Sequence, residues 1–277
     1  MNTLEFSSWL FGSSILAGLL GAMTGLGGGV VIVPVLTLLF HVDIRYAIGA
    51  SLVSVIATSS GAAAAYVREG FSNVRIGMFL EIATTLGALL GAYLTAIVST
   101  HAIGIVFGLV LLYSAFASFR KHSQDAITQP DALALKLNLQ GSYPTPTGAQ
   151  SYVAQHVPSG FSLMFAAGAL SGLLGIGSGA IKVLAMDQAM RLPFKVSTTT
   201  SNFMIGVTAA ASAGIYLSRG YISPGLSMPV MLGVLLGSLA GSRLLVKANV
   251  KTLRLIFAGV IIVLGIEMIY NSATGRL

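Results

Sequence analysis

The feature that most limits what this chain can fold into is a run of 32 uncharged residues from Trp9 to Phe40. As one α-helix it would be about 48 Å long, whereas the hydrocarbon core of a bilayer is only about 30 Å thick. The run must therefore break. The break is expected in its middle, at Gly25-Leu26-Gly27-Gly28-Gly29, because each glycine weakens a helix interior by about 1 kcal/mol. The same kind of motif returns 150 residues later as Gly175-Ile176-Gly177-Ser178-Gly179. Irregular backbone at membrane depth is tolerated only where it is buried in protein or lines a cavity. The two motifs therefore read as the two halves of one binding site.

Composition places those runs in a membrane. Of 277 residues, 55% are hydrophobic and 8% charged, against about 25% charged in an ordinary soluble domain. The absence of cysteine excludes disulfides, iron–sulfur clusters and thiolate zinc sites. The histidines, His41, His101, His122 and His156, form no helical i, i+4 pair, so neither a metal nor a cofactor is expected. The net charge of +7 does not call for nucleic acid, because the basic residues sit at the ends of apolar segments, where positive-inside topology puts them. Met1 to Ser8 carries Glu5 and no base, unlike the n-region of a secretory signal. The first apolar segment is expected to be retained.

Apolar segments fall at about 7–41, 45–67, 74–97 and 101–119, and again at about 158–190, 195–218, 224–246 and 252–270. Most approach the roughly 20 residues that a crossing needs. A gapless shift of 150 residues pairs Gly25 with Gly175, Ser51 with Ser201, Thr58 with Thr208, Tyr66 with Tyr216, Gly87 with Gly237 and Phe107 with Phe257. This indicates an internal duplication. Basic residues then choose between two topologies. If the Trp9–Phe40 segment crosses once, the bases divide seven against seven. If it doubles back, Arg45, Arg219 and Arg276 lie on one side against eleven on the other, and Lys182, inside the apolar region, completes the 15. Only the uneven split obeys positive-inside bias.

The sequence thus predicts an all-α polytopic protein of the cytoplasmic membrane, built from two inverted repeats, residues 1–119 and 159–277. Each repeat is a glycine-broken helical hairpin plus three transmembrane helices, and both termini lie outside. The 120–158 connection is expected in the cytoplasm. There Leu133, Leu135, Leu137 and Leu139 alternate with Ala134, Lys136 and Asn138, which is strand periodicity, and a Gly/Pro-rich stretch separates them from Gln150–Val157. A small β-hairpin follows.

Lys182, in the first turn after the second motif, is opposed by the helix dipole and pays at least about 2.5 kcal/mol for lying within the membrane. Its compensation is a visiting anion, a structural network, or Asp187; since i+5 is not a facing spacing, the last needs a bent backbone. If the partner is an anion, Lys182→Met should leave folding unharmed. Ser51, Ser54 and Thr58 in the first half, and Ser197, Thr198, Thr199, Thr200, Ser201 and Asn202 in the second, supply uncharged donors for an anion path or for interhelical hydrogen bonds. Glu81, Glu267 and Asp187 are the acids within apolar segments, candidates for proton coupling or for buried pairing. Gly87, Gly91, Gly237 and Gly241, spaced by four, suit close helix packing. Pro34 should keep the second half-helix of the first repeat short or kinked. Enzyme signatures are missing: Gly25–Val30 lacks the last glycine of a dinucleotide fingerprint, and Ser178 has no evident His or acid partner for nucleophilic work.

These residues carry a resemblance. Gly25-Leu26-Gly27-Gly28-Gly29 with Val33-Pro34, the stretch Gly175 to Asp187, and Lys195 to Met204 resemble the sulfite exporter TauE/SafE family of membrane permeases, over nearly the whole chain except 120–158. The resemblance implies a transporter of sulfite, sulfonates or related sulfur anions, and rocking of one inverted repeat against the other would give it alternating access. The partners are then a small anion and the lipid bilayer. A carrier for another small anion or metabolite, or a membrane scaffold whose glycines serve packing alone, remains open. The topology has a direct check. Reporters fused after Ser99 and after Gln140 are expected outside and in the cytoplasm respectively; finding both on one side excludes the inverted arrangement, since one segment separates them.

Overall fold

The computed structural model describes residues 3–24, 28–68, 72–119, 131–145, 148–245 and 250–275. The first repeat contributes α1 (Thr3–Thr24), α2 (Gly29–Pro34), a π-helical turn (Val35–Leu39), α3 (Ile44–Arg68), α4 (Val74–Leu94) and α5 (Thr100–Phe119). The second contributes α7 (Val157–Leu174), α8 (Gly179–Leu184), a π-helical turn (Ala185–Ala189), α9 (Phe194–Ser218), α10 (Pro224–Leu245) and α11 (Val250–Ala273). Between them lie a short helix α6 (Ala132–Lys136) and the strands β1 (Gln140–Thr145) and β2 (Gly148–Val153).

The long uncharged run breaks and doubles back. Phe6 near the start of α1 packs edge-on against Phe40 just past the first π turn, ring centroids 5.6 Å apart. In the second repeat the Gln155 amide donates to the Met190 carbonyl at 3.0 Å, and a Cβ on Gly160 would strike the Met190 side chain. Both return limbs pass from α-helix into a π turn and end on a left-handed residue, His41 or Arg191, each at φ 52°. Pro34 immediately precedes the first π turn, but Leu184 occupies the equivalent place before the second. The widened turn therefore does not depend on proline, and its cause lies in what both limbs share.

Helices pair mainly across the repeats: α1 with α10, α4 with α7, α3 with α9, and α5 with α11. Glycine makes the closest crossings possible. A Cβ on Gly87 or Gly91 of α4 would run into the backbone carbonyls of Phe165 or Ala169, and one on Gly168 or Gly172 of α7 into those of Thr84 or Ala88. The α1–α10 pair repeats this, Gly18 meeting the Val234 carbonyl and Gly237 that of Ile15. Contacts of α5 with α11 run in opposite order, Gly275 lying beside His101 while Gly265 lies against Gly108 and Leu111. These two helices are antiparallel.

On the outside, Met78, Ile82, Leu86 and Leu89 make an exposed stripe along α4, and their repeat mates Met228, Leu232, Leu236 and Leu239 do the same along α10. The opposite face of α4 buries Gly77, Glu81, Thr84, Gly87 and Gly91. Apolar residues facing out and small or polar ones facing in suit a lipid surround, where hydrophobicity gives no drive for helix association and close packing supplies it. Among the described residues, Val74–Leu94 and Val157–Leu174 are each long and apolar enough to cross a membrane.

The connection corrects one expectation. A two-stranded antiparallel sheet is present, pairing Gln140 with Val153 through Thr145 with Gly148, but the alternating leucines are not its first strand. Residues 132–136 are one helical turn, started by Asp131, whose Oδ1 accepts from the Leu133 amide at 3.1 Å. Its Oδ2 accepts from the Val157 amide at 3.1 Å, tying the same side chain to the start of α7. Leu133, Leu135 and Leu137 are exposed while Ala134 and Leu139 enter the core. A local cap thus outweighs a short alternating pattern. Pro144 is accommodated in β1 because every strand of a two-stranded sheet is an edge.

Packing through glycine predicts a positional difference. Gly91→Leu is expected to destabilise the protein by about 1–3 kcal/mol through overpacking. Gly12→Leu, where nothing lies within 4 Å of the added Cβ, should leave thermal unfolding in detergent unchanged.

Candidate functional site

The site is assembled on one face of α9. Ser201, Ile205, Thr208 and Ser212 recur at spacings of three and four, so they lie one above another. Ser201 Oγ donates to the Gly179 carbonyl at 3.3 Å. The side chain of Ile205 fills the room left by Gly177 and Gly179, where an added Cβ would approach it to 2.9 and 2.8 Å. One turn further, Lys182 Nζ donates to Thr208 Oγ1 at 2.5 Å, and Thr208 Oγ1 lies 2.7 Å from Glu81 Oε1 on α4. Thr85 Oγ1 donates to the same carboxylate oxygen at 3.1 Å. Lys182 and Thr208 are fully buried, and Glu81 is 6% exposed.

Lys182 therefore has a resident compensating charge: the Glu81 carboxylate, reached through one hydroxyl. Removing the cation would strand that buried carboxylate, so Lys182→Met is expected to harm folding, where a visiting anion as sole partner would have left it unharmed. Of the acids weighed from sequence, Glu81 is buried in the site, Glu267 is exposed on α11 and Asp187 is half-buried in the second π turn.

The two glycine motifs meet. Gly29 packs so closely that a Cβ there would lie 2.6 Å from Ser51 Oγ and 3.0 Å from the Gly175 carbonyl. Ser51 Oγ donates to that carbonyl at 2.7 Å, from α3 of one repeat to the motif of the other. Gly28 precedes α2 and its carbonyl accepts the amides of Val31 and Ile32. Gly25 and Gly27 lie outside the described residues. In the second motif Gly175, Gly177 and Ser178 all have positive φ, at 66°, 68° and 43°. For Ser178 that is an uncommon conformation for a non-glycine residue. Its hydroxyl is buried with no hydrogen-bond partner, as is Glu81 Oε2.

Most of the remaining hydroxyls are bound within their own helices. Ser54 and Thr58 donate to Ala50 and Ser54 carbonyls at 2.9 and 3.0 Å. Thr198 and Thr199 donate to Phe194 and Lys195 carbonyls, both at 2.9 Å, and Ser197 Oγ reaches the Leu192 carbonyl at 3.4 Å. Thr200 instead accepts from the Asn73 amide at 3.0 Å. Asn73 caps α4 through the Ile76 amide at 3.0 Å and donates to the Tyr152 hydroxyl of the hairpin at 2.9 Å. Burial holds the Tyr152 phenol above its ordinary range, against the lowering effect of Asn73. Asn202 is half-buried beside Ser201.

Thr208 and Asn73 were not singled out from sequence. For Thr208 a signal existed, its pairing with Thr58 under the 150-residue shift, but its place between two charges on different helices is not a local property.

Lys182→Met is now expected to cost about 3–5 kcal/mol, the range for breaking a buried ion pair on one side. The double variant Lys182→Met, Glu81→Gln should recover most of that loss in unfolding measurements. A double variant no more stable than the single one would show that Glu81 does not balance Lys182.

The chain is similar to several curated proteins. It is 27% identical over 265 residues to the Probable membrane transporter protein YunE of Bacillus subtilis, covering 93% of this chain and 95% of that one. It is 27% identical over 229 residues to the Probable membrane transporter protein YdhB of the same organism, covering 82% and 86%. To the Probable membrane transporter protein MJ0441 of Methanocaldococcus jannaschii it is 24% identical over 268 residues, covering 92% of each. No solved structure matches it. The family model for the sulfite exporter TauE/SafE matches residues 10–268. With that match spanning the paired glycine motifs, the Lys182 centre and both sets of helices, the chain is a membrane transporter belonging to the sulfite exporter TauE/SafE family.

Proposed function

We propose that this protein is a multi-pass secondary transporter of the cytoplasmic membrane that exports a small sulfur-containing anion such as sulfite or an organosulfonate. The observation that carries the reading is Lys182, a fully buried cation one helical turn beyond the buried, unpartnered Ser178 hydroxyl. An ammonium on a short helix and a free hydroxyl just before that helix offer charge and direction to an oxyanion. The glycines of both motifs let two repeats approach at this place. Hydroxyls satisfied within their helices would serve as pathway lining, binding weakly enough that the anion leaves again.

Alternating access of two inverted repeats is the proposed mechanism. It is supported by the doubled-back hairpins, by antiparallel α5 and α11, and by where the bases gather. Arg45 stacks over Tyr221 at 5.9 Å, two residues from Arg219, so those two bases share one end. Arg75 Nη1 reaches the Asn138 carbonyl beside the hairpin, and Gln155, two residues past the hairpin, donates to the carbonyl of Met190, next to Arg191. That end is the expected cytoplasmic one under positive-inside bias.

Purified protein in liposomes should move one or more of sulfite, thiosulfate and methanesulfonate. Gly177→Leu, which forces a side chain onto Ile205, should insert normally and lose that flux. Flux unchanged by Gly177→Leu would reduce the motif to packing, and no flux of any sulfur anion would overturn the substrate assignment. A charge-assisted hydrogen bond contributes about 1.5–3 kcal/mol. The folded Lys182→Met, Glu81→Gln variant should accordingly bind the transported anion roughly 10- to 150-fold more weakly.

A further inference from the structure

Thr208 carries one hydroxyl proton and stands between three groups. It accepts from Lys182 Nζ at 2.5 Å and can donate either to Glu81 Oε1 at 2.7 Å or to the Met204 carbonyl at 3.0 Å. While Glu81 is ionised, the hydroxyl points to it and the lysine is held in the bridge. If Glu81 takes a proton, the hydroxyl can turn to Met204, and the ammonium loses its resident counter-charge. The second carboxylate oxygen, Oε2, is buried without a partner and can receive that proton.

From this geometry we infer that the Glu81–Thr208–Lys182 bridge couples anion binding to the uptake of one proton, with Glu81 as its carrier. The inference rests on the anion-carrier reading. With Lys182 positive and Glu81 negative the buried centre is neutral. A monovalent anion at Lys182 makes it net negative in an apolar interior, where uncompensated charge is costly. A proton from water, forming an O–H bond at Glu81 Oε2, restores neutrality.

No other described charge is placed to do so. Helix α7, packed on α4, carries no titratable side chain. On α4 itself Arg75 lies in the first turn and Tyr93 at the far end. Along α9 the titratable groups are Lys195 in the first turn and Tyr216, about two turns past Thr208. From the hairpin, Tyr152 meets Asn73 at the start of α4. Asp187 follows Lys182 in the π turn and is the nearest rival in sequence.

The repeats do not duplicate this centre. Position 32 is isoleucine where 182 is lysine, and position 231 is methionine where 81 is glutamate. One coupling site per chain follows.

The probe is methanesulfonate, a strong-acid anion whose own charge does not change with pH. Binding to the purified protein in detergent should take up one proton per anion in weakly buffered solution. Affinity should fall about tenfold per pH unit over the range where free Glu81 is ionised, as one-proton linkage requires. Glu81→Gln keeps the acceptor for Thr208 and Thr85 but holds no titrating proton. It should bind without proton uptake and without that slope, and the anion should raise its melting temperature more than it raises that of the wild type.

The wild type supplies an independent readout if the variant folds poorly. Anion-difference infrared spectra should show a carboxylic-acid band appearing on binding. Binding with no proton taken up, a slope that survives Glu81→Gln, or a slope that vanishes in Asp187→Asn instead, overturns the coupling while leaving the carrier standing. Failure of methanesulfonate, sulfite and thiosulfate alike to bind overturns both.

Discussion

A buried ammonium must be compensated where it lies, and here that requirement ties three helices together. Lys182 comes from α8, the hydroxyl that receives it from α9 and the carboxylate behind it from α4. Since α4 belongs to the first repeat and the other two to the second, the bridge is an inter-repeat contact made of charge. Ser51 on Gly175 is a second such contact, made of a neutral hydrogen bond. Both lie at or just after the second glycine motif, so a stretch whose glycines weaken a helix is also where the repeats grip each other.

The rest of the architecture makes that meeting possible. In lipid there is little hydrophobic reward for bringing helices together, and association depends on close packing and polar contacts. Gly87 and Gly91 on α4 face Gly168 and Gly172 on α7 so closely that each would strike a partner carbonyl if it carried a side chain. This pairing fixes the height of α4 and therefore the depth of Glu81. The hairpin fixes its end: Asn73 starts α4, binds Thr200 on α9 and holds Tyr152 at once. The hairpin thereby reaches the helix that bears the carboxylate.

Symmetry and asymmetry divide the work. Return limbs, π turns, left-handed ends at His41 and Arg191, and lipid-facing stripes recur at the 150-residue interval. The return limbs, π turns and left-handed ends all serve the reversal of the chain, and the stripes give both halves an apolar outer face. The polar centre does not recur, since the mates of Lys182 and Glu81 are Ile32 and Met231. Two such centres would double the cost of burying charge; the chain carries one.

Much of this is legible in the sequence alone. The break in Trp9–Phe40 follows from helix length against bilayer thickness, the doubling from the 150-residue shift, and the packing role of Gly87 and Gly91 from their spacing. Lys182 was conspicuous because a charge in an apolar run needs an explanation. The alternating leucines misled, because a pattern of four leucines is weaker than the Asp131 cap that starts a helical turn through Leu133 and Leu135. What only the tertiary structure decided was the partner of each polar group. Asp187, near in sequence, was weighed against Lys182, whereas Glu81 lies 101 positions away and is brought there by α4 packing on α9. Hydrophobic length and glycine spacing act along the chain and can be read from it; charge compensation acts through space, so it is known only once the helices have been placed.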